Sequence, residues 1–392
     1  MNRVTGKWLA NPATQAVFDM LERGGFQAWA VGGCVRNALL DQPVTDVDIA
    51  TDARPEQIME LAGTAGLKSV PTGLEHGTVT IVSGGTGYEV TTFRRDVKTD
   101  GRHAKVVFAA NLEQDAHRRD FTMNALYADR HGQIRDPLGG LTDLRARCVR
   151  FIDDPHARIR EDYLRILRFF RFHAWYGDPE NGIDRDGLSA CAELAEGIER
   201  LSRERIGAEI RKLLAAPDPA PGVAAMEQAG VLHRILPGAS SHGLAVLVHM
   251  ETEIGEAPRW LRRLACIGGA DAKDRLRLSR NEARLLALLT QESATDTGLA
   301  ELAYRHGADL AIDVVLLRAV MAGTPPPPDV RTRAEHAARQ VFPLGGRDIS
   351  GVDSGPELGK ILKRLERRWI DSGFSLDRQD LLETLPTDKK GG

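Results

Sequence analysis

Cysteine is scarce in this 392-residue chain: Cys34, Cys148, Cys191 and Cys266 sit far apart and form no CxxC pair. That spacing excludes a cysteine zinc site or a disulfide framework and fits reduced, mostly buried thiols in a cytoplasmic protein. No apolar run approaches the roughly 20 residues of a membrane helix, so no membrane association is expected. The first ten residues hold no apolar core fit for a signal peptide. No internal repeat recurs at a fixed period. Net charge is −3, so overall charge does not announce a polyanionic partner. What remains is ordinary for a soluble globular protein, with 42% hydrophobic and 27% charged residues. The length is enough for two to four domains.

Distribution says more than totals. Residues 91–172 carry 17 Lys and Arg against 12 Asp and Glu. A second basic stretch runs through Lys360, Lys363, Arg364, Arg367 and Arg368. Each fits either a phosphate-contacting surface or a solvated helix face. Up to about residue 150, helix and strand signals mix. Helical spacing covers 13–23, a short strand fits 27–31, a helix 34–40, a strand 44–51, a helix 55–63, and strands 78–82 and 88–93. Beyond that, helical periodicity takes over, beginning with one long pattern over 158–175. Further helices fit 188–197, 203–214, 221–230, 257–267, 280–291, 297–305, 309–321 and 356–370. Pro325 to Pro328 form a stiff break. The expected fold class is α+β: a small-sheet head over 1–150, then all-α segments over 151–220, 221–324 and 325–392.

The densest chemistry begins at Gly32-Gly33-Cys34-Val35-Arg36 and continues to Thr45-Asp46-Val47-Asp48. Strand residues i and i+2 face the same way, so Asp46 and Asp48 are expected side by side. Two carboxylates that close repel unless a cation lies between them. Hard oxygen ligands suit Mg²⁺, which prefers few carboxylates plus phosphate oxygens and water. The glycine pair lets backbone N–H groups approach a phosphate, with Arg36 one turn into the following helix. Glu89 fits a third metal ligand or a base for an attacking hydroxyl, and fits a plain exposed strand residue as well. The segment Arg118 to Ala125 gathers Arg118, Arg119, Asp120, Thr122 and Asn124 around Phe121. It reads as sugar and phosphate contacts, as a helix N-terminus capped by Asp120 or Thr122, or as both. In Glu161 to Phe172, Asp162, Arg165, Arg168 and Arg171 recur every three residues and would form one stripe of a helix.

Five segments in this order resemble one family. The glycine, arginine and paired-aspartate run is similar to the metal and triphosphate motif of the class II nucleotidyltransferases, which include CCA-adding tRNA nucleotidyltransferases and bacterial poly(A) polymerases. Arg118 to Ala125 resembles their ribose-selecting motif, and Asp136 to Leu144 the hinge between head and neck. Glu161 to Arg171 resembles the amino-acid template helix, and Ser202 to Glu209 the neck-stabilising motif. The resemblance covers roughly residues 25–215. It implies a head of the DNA polymerase β type followed by neck, body and tail. Asp46 and Asp48 would hold Mg²⁺, Gly33 and Arg36 the triphosphate, and Arg119 and Asp120 the ribose side. Asp162 and Arg165 would pair with the base of CTP or ATP, while Arg168 and Arg171 would contact the nucleotide or its phosphates. The RNA 3′-hydroxyl would attack the α-phosphate and pyrophosphate would leave. One departure stands out: Asn37 occupies the place of the acid that usually follows the arginine.

Thr91 to Arg102 looks like the mobile loop of enzymes that add both C and A, and Leu381 to Gly392 lacks the arginine-rich extension expected of a poly(A) polymerase. CCA addition to tRNA is therefore favoured over poly(A) synthesis, with A-only or CC-only addition third. The paired acids speak against a non-catalytic RNA-binding relative. None of the eleven histidines precedes Asp, which speaks against a fused phosphohydrolase. No obligate protein partner is evident.

Overall fold

Strand β1 (Ala28–Val31) stops where Gly32 adopts φ 71 and ψ −118, a conformation hostile to any side chain with a Cβ. The chain then enters the helix Gly33–Leu39 directly. This turn, in a computed structural model that describes residues 3–97, 105–109, 111–349 and 355–385, sets the geometry of everything near it. Strand β2 (Asp48–Thr51) lies antiparallel to β1, with Val31 opposite Asp48 as the last pair. The expected strand over 44–51 is thus shorter at its start. Once β1 has turned away at Gly32, residues 44–47 lose their antiparallel partner; the strand Thr86–Thr92 runs on to Thr86 on the other side but does not pair with them, and Asp46 lies ahead of β2.

Strands β3 (Lys68–Gly73), β4 (Thr78–Ser83) and β5 (Thr86–Thr92) form an antiparallel meander. Strand β5 then runs parallel to β2, with Asp48 opposite Glu89. Strands β6 (Arg94–Val97) and β7 (Lys105–Phe108) make a separate hairpin. Strands β8 (Tyr127–Ala128) and β9 (Ile134–Arg135) complete a seven-stranded sheet of order β3-β4-β5-β2-β1-β8-β9. Residues 98–102 of the expected mobile loop lie outside the described residues.

The helices Pro12–Arg23 and Pro55–Thr64 pack on the sheet, burying Val17, Phe18, Leu21, Ile58 and Ala62. Each opens with proline in its first turn, where the missing N–H costs nothing. Elsewhere Ala50, Phe93, Ala125, Tyr127 and Ile152 share a buried cluster that underlies β1 and β2. At the start of β2 the cover ends, and Asp48 and Glu89 are left open to solvent.

The long helix expected over 158–175 is in fact two, Pro155–Glu161 and Leu164–Tyr176. Asp162 between them is extended, at φ −152 and ψ 105. Its carboxylate accepts from the Leu164 amide at 3.1 Å and so caps the second helix. Tyr163 packs on Gly197, where a Cβ would stand 1.9 Å from the ring. The single stripe expected for Asp162, Arg165, Arg168 and Arg171 therefore loses Asp162. Rings hold the second helix to the head: Phe121 lies 5.0 Å from both Phe151 and Phe172, and Phe151 stacks on Phe169 at 5.3 Å.

The chain divides into two compact units, one of residues 1–239 with 269–277 and one of 240–268 with 278–392. The second unit is helical, and Pro325 to Pro328 lie within it, between the helices Ala308–Ala322 and Val330–Ala338. Its core contains charge: buried Arg262 donates to Glu251 at 2.7 Å and to Asp313 at 2.8 Å, and Arg263 to Glu251 at 2.7 Å. The tail helix Pro356–Asp371 buries Leu365, Trp369 and Ile370. Its Lys360, Lys363, Arg364, Arg367 and Arg368 stay exposed.

Phe169 is fully buried among Phe121, Phe151 and Phe170. Replacing Phe169 by Ala should cost about 3–5 kcal/mol of stability, read from denaturant unfolding. A loss below about 1 kcal/mol would show that this cluster does not hold the helix to the head.

Candidate active site

Partners across adjacent strands point to the same face, so the Asp48–Glu89 register places those carboxylates together at the sheet's open end. Asp46 precedes them by a short extended stretch, and its carboxylate accepts from the Thr45 hydroxyl at 3.0 Å. The seat of Asp48 in the sheet, the neighbouring Glu89 charge and, less strongly, Asp46 push its carboxyl up to about 6, while Arg119 opposes them. Its tip still meets solvent, so part of this cost is screened. A cation would relieve the repulsion, and hard carboxylate oxygens suit Mg²⁺. Among the described residues no three acids gather into a self-contained metal site. The donor set therefore fits an ion that takes its other ligands from water and phosphate.

On the other side of the Gly32-Gly33 turn the charge reverses. Arg36 is 6% exposed. It donates to Asn37 Oδ1 at 2.9 Å, to the Tyr176 hydroxyl at 2.8 Å and to Asn124 Oδ1. Its guanidinium also lies 4.1 Å from the Tyr176 ring centre and 5.1 Å from that of Phe172. Every one of these partners is neutral, and burial pulls the Arg36 pKa down. Asn37 thus keeps the hydrogen bonds of an acid at that place without its charge. Arg168 and Arg171 lie 5.2 Å and 4.5 Å from the same Phe172 ring centre. Arg168 donates to Asp120 at 2.7 Å and Arg171 to Glu209 at 2.5 Å.

Asp120 links these groups. One carboxylate oxygen takes Arg168; the other accepts from the Phe121 amide at 2.9 Å and from Asn124 at 2.8 Å. Burial would raise its pKa, but Arg168 and these hydrogen bonds outweigh burial and hold it below the usual carboxylate range. Asn124 passes the connection to Arg36. Arg119 sits by the turn: a Cβ on Gly32 would stand 3.5 Å from its guanidinium. Arg119 and Arg118 both donate to buried Asp115, at 2.9 Å and 2.7 Å, and Asp115 also accepts from Tyr127 at 2.8 Å. Those partners hold the Asp115 carboxyl far below its usual range despite burial.

Asp162 and Arg165 are brought to the same helix junction but are already engaged. Asp162 accepts from Arg205 at 2.7 Å as well as capping Leu164. Arg165 donates to the carbonyls of Arg158 and Arg118, each at 2.9 Å, and to Glu161 at 2.6 Å. Those bonds commit three of the five guanidinium N–H groups. Sequence reading placed Asn124, Glu161 and Glu209 only within longer motifs and gave no role to Asp115 or Tyr176. The spacing of Asp115 from Arg118 and Arg119, three and four residues, was a usable signal, as was that of Glu161 from Arg165. Tyr176 and Glu209 carried none, because their partners are remote in the chain.

Comparison with known proteins matches this site to one family. The model described as "Poly A polymerase head domain" matches residues 28–150. The model described as "Probable RNA and SrmB- binding site of polymerase A" matches 182–242. The CCA-adding enzyme of Limosilactobacillus fermentum is 33% identical, over 94% of this chain and 94% of that protein. The chain belongs to the CCA-adding tRNA nucleotidyltransferase family. The mitochondrial CCA tRNA nucleotidyltransferase 1 of Mus musculus is 32% identical over 95% of this chain and 92% of its own. Among solved structures, the CCA-adding enzyme of Bacillus stearothermophilus in complex with CTP superimposes with a TM-score of 0.71 at 28% identity, covering 92% of this chain and 94% of that one. The Thermotoga maritima CCA-adding enzyme complexed with tRNA shares the fold, with a TM-score of 0.69 at 19% identity, covering 97% of each chain. As a member of this family, the protein is a nucleotidyltransferase.

Two wider expectations bear on the enzyme's surroundings. Cys34 and Cys191 are buried, and Cys148 and Cys266 partly so. Burial, with the nearby Asp48 charge, pushes the Cys34 thiol up to about 12. No helix among the described residues is long and apolar enough to cross a membrane.

The raised Asp48 carboxyl has a sign that can be tested. A folded-state value of about 6 against an ordinary 3.8 costs stability at pH above 6, progressively less between these values, and none below 3.8. In chelator, Asp48→Asn should raise Tm at pH 8 by on the order of 1–2 °C after solvent screening. The gain should vanish near pH 4, as calorimetry would show. A gain of equal size at both pH values would mean that charge is not its source.

Proposed function

We propose that the chain adds CCA to the 3′ end of tRNA, taking CTP and ATP and releasing pyrophosphate. The observation that carries this reading is the charge pattern about the Gly32-Gly33 turn. An open edge of Asp46, Asp48 and Glu89 lies on one side, and a buried Arg36 with only neutral partners on the other. A nucleoside triphosphate needs both, since its phosphates seek cations and its transfer needs a metal held at the α-phosphate.

Asp46 and Asp48 are the proposed holders of Mg²⁺, with Glu89 beside them as a further ligand or as a base. The bound ion would neutralise phosphate charge and make the attacking hydroxyl a better nucleophile. The Gly33 amide, at the start of its helix, and Arg36 receive the triphosphate, helped by Arg168 and Arg171. Arg119 and Asp120 lie on the ribose side. The buried network about Asp120 keeps these donors in place before substrate arrives, which is what charge stabilisation in a transition state requires.

Asp162 and Arg165 are assigned to the base edge. Arg165 keeps two N–H groups beyond its described bonds, and Glu161 fixes the plane of its guanidinium. Asp162 would exchange Arg205, a half-exposed and therefore weak partner, for the amino group of cytosine or adenine. A base without that amino group would leave the carboxylate unpaired, and GTP and UTP would be rejected on that ground. In this reading 1–150 is the head, 151–220 the neck, 221–324 the body and 325–392 a tail. The exposed basic face of Pro356–Asp371 would then meet tRNA phosphates. A cytoplasmic location follows from the substrate and from the unpaired cysteines.

Incubation with tRNA lacking its 3′ CCA, labelled CTP and ATP should give growth that halts after three added nucleotides. An open-ended ladder with ATP alone would instead assign poly(A) synthesis. Asp46→Ala and Asp48→Ala should each abolish incorporation, by at least about a thousandfold, while tRNA retention on a filter stays within about twofold. Turnover near that of the parent in either variant would remove the metal assignment.

A further inference from the structure

Asn37 is bonded through both ends of its amide, and the two bonds lead in different directions. The residue is half-buried in the last turn of the helix Gly33–Leu39, next to Arg36. Its Oδ1 accepts twice from Arg36, from Nη2 at 2.9 Å and from Nε at 3.2 Å. Its Nδ2 donates to the Pro43 carbonyl at 3.0 Å. Only one orientation of the amide satisfies both, because a guanidinium can only donate and a carbonyl can only accept. The Asn37 backbone carbonyl also accepts from the Gln42 amide at 2.8 Å, just past Asp41 at φ 54.

Pro43 opens the extended stretch that leads to Asp46 and β2. Among the described residues, the bond from Asn37 is the only hydrogen bond that reaches residues 43–46 from outside that stretch. The Asp46 carboxylate bonds only to the hydroxyl of its neighbour Thr45. One amide thus grips the phosphate-side arginine with its oxygen and the approach to the acid edge with its nitrogen. An aspartate of the same size would change both. It has no hydrogen for Pro43 and would set a carboxylate oxygen against that carbonyl. It would also pair with Arg36, whose three acceptors, Asn37, Asn124 and Tyr176, are all neutral.

We propose that Asn37 is a positioning residue for nucleotidyl transfer, its amide fixing the Asp46 stretch against Arg36 while leaving the arginine's charge to phosphate. The inference rests on the functional reading above and deepens it. The two ends of the amide act on different steps. Without the nitrogen's bond, Asp46 is no longer held in register with Arg36, and turnover falls. With a negative charge in place of the oxygen, Arg36 is contested, and phosphate affinity falls. A side chain that merely filled space would give an isosteric aspartate the milder effect on both.

The test uses the full chain and reads the two steps separately. Calorimetric titration with inorganic pyrophosphate in Mg²⁺ reports phosphate affinity without turnover. Asn37→Asp should weaken it about tenfold and Asn37→Ala by no more than about threefold, the reverse of the order that shape predicts. In incorporation of labelled CTP into tRNA lacking CCA, both variants should lose kcat by on the order of tenfold, since neither can donate to Pro43. Asn37→Glu compared with Asn37→Gln repeats the charge comparison in a longer side chain, so the affinity test stands if either pair folds. Pyrophosphate binding by the acidic variant of a folded pair that matches or exceeds that of its neutral counterpart would overturn the inference, as would a parental kcat in Asn37→Ala. If the parent neither binds pyrophosphate nor extends tRNA, the functional reading itself has failed, whatever the variants do.

Discussion

The buried carboxylate of Asp120 is the point on which the site's geometry rests. One oxygen holds Arg168 from the helix Leu164–Tyr176, and the other takes the Phe121 amide and Asn124, which in turn holds Arg36. Directly through Arg168 and indirectly through Asn124, this carboxylate ties two distant segments to its own. Burial makes the arrangement demanding, because a buried carboxylate that loses one partner leaves charge uncompensated. The phenylalanines around Phe121 supply the apolar frame that keeps water out of this network. Position of the cations thus follows from packing, and packing from the alternation of rings and arginines along one helix.

Around this frame the charges are arranged for a ligand and against stability. Asp48 and Glu89 repel across a strand pair, and Arg36 is buried among neutral groups. Each would be improved, as far as folding is concerned, by more counter-charge than Arg119 supplies to Asp48 and Asp120 to Arg36. Contrast the helical second unit, where Arg262 and Arg263 are buried as deeply but meet Glu251 and Asp313 in full. Paired burial serves structure; burial without an ion-paired carboxylate leaves charge that the proposed triphosphate and metal would complete. Membership of the CCA-adding family agrees with that difference, since its chemistry brings both a cation and a polyanion to one place.

Much of the architecture was legible in advance. The strands at 27–31, 78–82 and 88–93 and most helices appear where periodicity put them, because apolar spacing reports which face must be buried. Legibility failed where a distant partner decides. Residues 44–47 have strand-like sequence but lose their β1 partner once Gly32 turns, and the strand begins at Asp48. Residues 158–175 have continuous helical spacing, yet Asp162 interrupts them to cap its own successor while Tyr163 packs on Gly197. The same limit hid Tyr176 and Glu209, whose meaning lies in arginines remote from them. It also hid Asn124, whose neighbour Asp120 was visible but whose bond to Arg36 was not.

By itself, then, the order of residues determined the local inventory: a glycine turn before an arginine, acids two apart, cations along a helix. Composition and spacing are enough for that, since they act over a few residues. Only the tertiary structure decided which acid faces Asp48 and which buried arginine is held by neutral hydrogen-bond acceptors alone. Those are sums over groups brought together across the chain, and electrostatic cost depends on who is near and how much water remains, neither of which a linear pattern contains.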